Sequence, residues 1–187
     1  MTIIGITGTL GAGKGTVVDH IESKGFAHYS MSGFIIREIE RRGLPVNRDN
    51  MTVVGNDIRA THSPSYIAEM LYKEASTAGK DAVIESLRTE GEIEALRSKG
   101  NFLLFAVDAE PKVRYERIVA RGSAKDNISF EKFLADEARE MHAEDPNKQN
   151  LARCIELADY RIMNDGSKED LNAEVDQILQ KIKSGKD

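Results

Sequence analysis

The chain has one cysteine, Cys154, in 187 residues. A lone thiol excludes an intrachain disulfide and a metal site built from several thiolates. Basic residues are also in deficit: 26 Lys and Arg against 31 Asp and Glu leave a net charge of −5. A nucleic-acid binder normally shows the opposite balance. Long apolar runs are missing too. No stretch approaches the length needed to cross a bilayer, and the run Ile3-Ile4-Gly5-Ile6 has no basic leader and passes straight into glycines. Neither an internal repeat nor a low-complexity linker is present. These absences predict a cytoplasmic protein whose partners are neither membranes nor nucleic acids. An anionic small molecule stays open as substrate, because local arginines matter more for it than total charge. Monomer and dimer both stay open.

What is present is ordinary for a soluble domain, 40% hydrophobic and 30% charged residues, and the length suits one well-packed domain, 1–187. Ile3 to Thr7 reads as a buried strand, followed by a helix from Thr16 to Lys24 that stops at Gly25. Phe26 to Tyr29 suggests a second strand, and Phe34 to Arg42 has helical spacing. A helical stretch from about Met51 to Thr61 follows, and Ser63-Pro64 reads as a cap with proline opening a helix through Ala75. Ala82-Val83-Ile84 is a short apolar strand, and Thr89 and Glu92 have capping-box spacing. Phe102 to Val107 is the most hydrophobic run, Pro111 opens a helix to Arg121, and a further helix spans about Phe130 to Met141. Tyr160 to Met163 reads as the last strand before a helix capped by Ser167 and Asp170. Strands alternating with helices predict an α/β fold around a parallel sheet covered on both faces.

The segment between the first strand and first helix carries the chemistry: Gly8-Thr9-Leu10-Gly11-Ala12-Gly13-Lys14-Gly15-Thr16. Backbone amides must converge on phosphate oxygens, and side chains in the loop would hold the phosphates away. The helix N-terminus adds a favourable dipole, and Lys14 adds a mobile positive charge that can follow a transferring group. Candidate ATP-binding residues are therefore Gly11, Ala12, Gly13, Lys14, Gly15 and Thr16. The hydroxyl follows Lys14 by two places rather than one. This Gly-Lys-Gly-Thr variant resembles the adenylate kinase and nucleoside monophosphate kinase group, which implies a P-loop NTPase fold, a five-stranded parallel sheet and ATP with Mg²⁺. Thr16 would then help to position the metal.

Three arginine stations extend the resemblance. Ser32-Gly33-Phe34-Ile35-Ile36-Arg37 stands where that family holds the acceptor phosphate, although Phe34 replaces its aspartate. Glu85-Ser86-Leu87-Arg88-Thr89 looks like a shortened form of the family's next station, with Glu85 ordering Mg²⁺ waters and Arg88 clamping acceptor phosphate. Glu116-Arg117-Ile118-Val119-Ala120-Arg121 is similar to the family's approach to its lid. Arg117 and Arg121 are four apart, share one helix face, and would stabilise charge on the transferring group. The resemblance implies acceptor-binding helices over about 32–78, with Arg59 a further candidate, and an inserted lid over about 122–150. Ala158 to Ser167 looks like the C-terminal strand–loop of dephospho-CoA kinases and archaeal adenylate kinase-related proteins, where Asp165 and Gly166 would border the adenine.

Two alternatives differ in chemistry. Transfer to a hydroxyl, as in a dephospho-CoA kinase, usually calls for a base, and Ser30-Met31-Ser32-Gly33 holds no carboxylate. Glu38 and Glu85 are the remaining candidates. A regulatory NTPase would need no acceptor. Asn147-Lys148-Gln149-Asn150 superficially matches a guanine-reading motif but lacks its carboxylate. The expected activity is transfer of the γ-phosphoryl group of ATP to a nucleoside monophosphate or similar nucleotide. His20, His28, His62 and His142 show no metal spacing, and Cys154 lies among Leu151, Ile155 and Leu157 as a packing residue.

Overall fold

In the computed structural model, which describes residues 1–122 and 128–184, the strands are β1 (Ile3–Gly8), β2 (Ala27–Ser30), β3 (Ala82–Glu85), β4 (Phe102–Asp108) and β5 (Tyr160–Met163). The helices are α1 (Lys14–Ser23), α2 (Met31–Arg41), α3 (Arg48–Thr61), α4 (Tyr66–Ala78), α5 (Glu90–Arg97), α6 (Pro111–Arg121), α7 (Phe130–Met141), α8 (Leu151–Glu156) and α9 (Lys168–Ser184). The strands form one parallel sheet in the order β2-β3-β1-β4-β5. The five-stranded parallel sheet flanked by helices is thus the expected one.

Pairing on both edges buries β1 along its whole length, which is why its residues are apolar without alternation. Its side chains still alternate between two cores. Ile3 joins Ile84, Phe102 and Leu104 under α2 to α5, while Ile4 and Ile6 join Val83, Phe105 and Ile162 under α1 and α9. Ligand sites in such sheets lie beyond the carboxyl ends of the strands, where the connections diverge to opposite faces. In this chain those ends are Gly8, Ser30, Glu85 and Asp108.

Local signals set most boundaries. Thr89 and Glu92 form the expected capping box at α5, and the extents read for α6, α7 and β5 agree with the structure. Three differences have physical causes. α2 starts at Met31 because the Ser30 hydroxyl accepts from Gly33 N, so Ser32 and Gly33 lie in its first turn. Pro64 does not open α4: Tyr66 N bonds to Ser63 O in a turn, and the helix begins at Tyr66. α8, which the sequence reading missed, is a six-residue helix whose N-terminus Asn150 caps through Arg153 N. Residues 123–127 of the segment expected to act as a lid lie outside the described residues; α7 and α8 follow them. No helix among the described residues is long and apolar enough to cross a membrane.

Candidate functional site

The loop after β1 is held in a conformation that suits glycine at its critical points. Gly13 caps α1 at φ 93°, and no side chain bonds to the first turn there. A Cβ on Gly13 would sit 2.2 Å from Asn164 Nδ2, so a side chain is barred by contact as well as by backbone angle. Two side chains prop the loop from behind. Asn164 donates to Ala12 O at 2.8 Å, and Arg114 donates to Leu10 O at 3.2 Å and to Ala109 O at 2.7 Å. Thr9 adds a 2.5 Å hydrogen bond from its hydroxyl to Asp108 at the end of β4.

Lys14 folds back over this loop and donates from Nζ to Gly8 O at 2.8 Å and Thr9 O at 2.7 Å. Burial, reinforced by the nearby Arg88 charge, pulls its ammonium from 10.5 down to about 7, against the opposing pull of Glu85 and Glu140. A phosphate anion placed beside Nζ should restore the charge and draw in a proton. At about pH 8, calorimetry in buffers of different ionisation heat should report uptake approaching one proton per site. Uptake should fade below about pH 6, where the lysine is already charged. Negligible uptake at the higher pH would contradict this reading.

Glu85 ends β3 one strand away, in register with Ile6 of β1 and Ser30 of β2. Its two carboxylate oxygens accept from the hydroxyls of Ser30 and Ser86. Ser86 is buried and adopts φ 69°, the one positive φ outside glycine among the described residues. That conformation costs a non-glycine residue on the order of 1–2 kcal/mol, a strain that concentrates at functional sites.

A cavity of about 660 Å³ joins these groups. It is lined by Gly11, Gly13, Lys14, Gly15 and Thr16 on one side, and by Ser32, Arg48, Arg59, Glu85 and Arg88 on the other. Arg117 and Arg121 of α6 also line it. Arg117 is steadied by donating to Asn164 O at 2.8 Å. Arg88 donates from Nη1 to Glu140 of α7 and to Gln149, both at 2.7 Å. Arg59 is buried and bound to the equally buried Glu92 at 2.9 Å, so part of its guanidinium is already engaged. No cluster of three or more His, Cys, Asp or Glu that could hold a metal occurs among the described residues. A hydroxyl and one carboxylate, Thr16 and Glu85, still suit Mg²⁺, which keeps waters and takes other oxygens from phosphates.

Several expected residues stand elsewhere. Arg37 is exposed and outside the cavity lining, with its guanidinium 5.6 Å from the centre of the Phe34 ring. It sits on the outward side of α2, whose inner face buries Met31, Ile35 and Ile39. Asp165 accepts from Glu110 N at 2.8 Å, and neither it nor Gly166 lines the cavity. Arg114, which no sequence motif singles out, is 2% exposed and grips Glu137 of α7 with both terminal nitrogens. The sequence reading also missed Arg48, Glu140 and Gln149. The only local sign was Asn47, which caps α3 immediately before Arg48.

The sequence profile of the family described as AAA domain matches residues 4–145, well over half of the chain. A UPF0200 protein of Pyrobaculum aerophilum is 32% identical over 185 residues, covering 98% of this chain and 99% of the relative. The chain belongs to the AAA domain family and to the UPF0200 proteins. Among solved structures, TT1252 from Thermus thermophilus superimposes with a TM-score of 0.63 at 22% identity, over 96% of this chain and 97% of that one. Dephospho-CoA kinase from Campylobacter jejuni reaches 0.52 at 15% identity over 97% of each chain. At such identities the likeness is one of fold, and the fold of this UPF0200 protein is that of P-loop kinases.

Proposed function

We propose that this UPF0200 protein transfers the γ-phosphoryl group of ATP to the phosphate of a nucleoside monophosphate or a similar nucleotide. The observation that carries the reading is that Lys14 and Thr16 of the glycine loop line one cavity together with Arg48, Arg59, Arg88, Arg117 and Arg121. The loop amides and Lys14 would bind the donor phosphates, and Arg117 and Arg121 would neutralise charge on the moving group. Arg88 would orient the acceptor phosphate for in-line approach. Thr16 and Glu85 would hold Mg²⁺, which supplies charge neutralisation across the phosphates when bound. α7, tied to the loop through Arg114, would close over the reactants and exclude water.

The hydroxyl-acceptor alternative needs a base, and both candidates are occupied. Glu38 is held at about 2 by hydrogen bonds from Arg41 and Arg42 and lies outside the cavity lining. Glu85, whose oxygens accept the Ser30 and Ser86 hydroxyls, would be committed to the metal rather than to a substrate hydroxyl. The guanine-reading alternative also weakens, because Asn150 caps α8, Asn147 bonds to Asp145 and Gln149 accepts from Arg88.

Turnover of ATP–Mg²⁺ against nucleoside monophosphates, deoxynucleotides and dephospho-CoA tests the assignment. At least one monophosphate should be phosphorylated much faster than dephospho-CoA. Robust use of dephospho-CoA with no monophosphate accepted would overturn it. Within the same assay Arg88→Ala should weaken acceptor use by about one to two decades, the loss of a charge-assisted contact of roughly 1.5–3 kcal/mol. Arg37→Ala should change acceptor KM by less than about threefold, in keeping with the small effects of exposed charges. A large loss at Arg37 would place the acceptor on the outer side of α2.

A further inference from the structure

Glu140, near the end of α7, is 6% exposed and lies between two arginines from different elements. Its Oε1 accepts from Arg48 Nη2 at 3.2 Å and its Oε2 from Arg88 Nη1 at 2.7 Å. Burial alone would raise this carboxyl, yet Arg88 and Arg48 hold it below the usual carboxylate range. All three side chains line the cavity that holds Lys14. The fit is incomplete, however. The carboxylate gives each guanidinium one oxygen only, and Arg48 Nε is buried with no hydrogen-bond partner. A buried charged donor without a partner is costly, and in a cavity lining it is a group that an entering anion can satisfy.

We infer that Arg48 and Arg88 form a subsite for a dianionic phosphate monoester, and that Glu140 is its internal placeholder, displaced when the phosphate enters. A tetrahedral phosphate carries about twice the charge of a carboxylate and a third oxygen, so it can meet Arg48 Nε as well as Nη2. Planar guanidinium forks suit that recognition, whereas a lysine in either place would offer only a point charge. Displacing Glu140 would also release the end of α7, while the Arg114–Glu137 pair keeps its middle tied to the glycine loop. Taking this phosphate to be that of the acceptor rests on the kinase reading above. The existence of the subsite does not.

Calorimetry with inorganic phosphate tests it, in excess ADP so that the glycine loop is filled. Glu140→Gln keeps shape and removes the competing charge, and should bind phosphate at least about tenfold more tightly than the natural protein, a gain of about 1.4 kcal/mol. Adding Arg48→Ala to that variant should abolish the gain, and acetate should gain much less than phosphate. The subsite is overturned if Glu140→Gln binds phosphate no better, if the gain survives Arg48→Ala, or if acetate gains equally. Melting curves report whether the variants fold; should the Gln variant fail, Glu140→Asp, which withdraws the carboxylate by one carbon, should show a smaller gain of the same sign. Because binding is read without turnover, the two readings fail separately. A phosphate gain with no acceptor ever phosphorylated leaves the subsite and sinks the kinase assignment, and turnover without the gain does the reverse.

Discussion

Replacing Lys14 with Ala should lower kcat by about two to three decades while leaving the protein folded. The estimate follows from removing one preorganised charge from a transition state, worth roughly 2.7–4 kcal/mol. The same change should move stability in the opposite direction, and the sign depends on pH. In the unfolded chain the ammonium titrates near 10.5, and in the fold near 7. Between those values the unfolded chain binds more protons, so stability rises with pH across that window. The cost of holding the charge in the fold is therefore complete below about pH 7 and gone above about pH 10.5. Lys14→Met should accordingly be more stable than the natural protein near pH 6, by roughly 1–3 kcal/mol. The value is below the full worth of the shift because two hydrogen bonds to Gly8 and Thr9 carbonyls are lost with it. Denaturant titration at two pH values measures this. A variant that is both fully active and no more stable would remove Lys14 from the site.

Glu92→Ala should be the most damaging single change to the fold outside the apolar core. Glu92 is fully buried, and its Oε1 holds Arg59 Nε at 2.9 Å. Its Oε2 accepts from Arg88 N at 2.8 Å and Thr89 N at 3.1 Å, so one carboxylate closes a helix cap, orders the backbone of Arg88 and neutralises Arg59. Removing one partner of a buried pair leaves an uncompensated charge and costs roughly 3–5 kcal/mol. At this chain length that corresponds to a fall in Tm on the order of 10 °C. The double change Glu92→Leu with Arg59→Met should recover much of the loss, because the orphaned charge goes with it. Thr89→Ala, which removes only the cap, should cost about 1 kcal/mol. Equal Tm losses for the single and double changes would show that the helix cap, rather than the ion pair, is what Glu92 supplies.

The parts of the fold legible in the sequence are those specified by short-range chemistry. β1 announces itself by three isoleucines running into glycines, α5 by Thr89 three residues before Glu92, and α6 by Pro111. The glycine loop was legible because close approach of backbone to phosphate demands a spacing that few other structures need. The arginine side of the cavity was legible only in part, Arg59 and Arg88 but not Arg48, because it is assembled across distance. Arg48 and Arg88 meet through Glu140, which is 92 residues from one and 52 from the other. Arg114 belongs to no motif and stands among the charged Lys112 and Glu116, yet its own position on α6 faces Phe133 and Glu137. Arg37 is the opposite case. A family-like spacing put it at a station, but α2 buries Met31, Ile35 and Ile39, and Arg37 lies off that face, exposed to solvent.

The most direct measurement follows the destination of the γ-phosphoryl group. With ATP labelled at that position, Mg²⁺ and a mixture of nucleoside monophosphates, the label should appear on the β-phosphate of a nucleoside diphosphate, and release of inorganic phosphate should stay low until an acceptor is supplied and beyond. Label recovered chiefly as inorganic phosphate at a rate indifferent to any acceptor would contradict the account and leave a nucleotide-hydrolysing switch in its place.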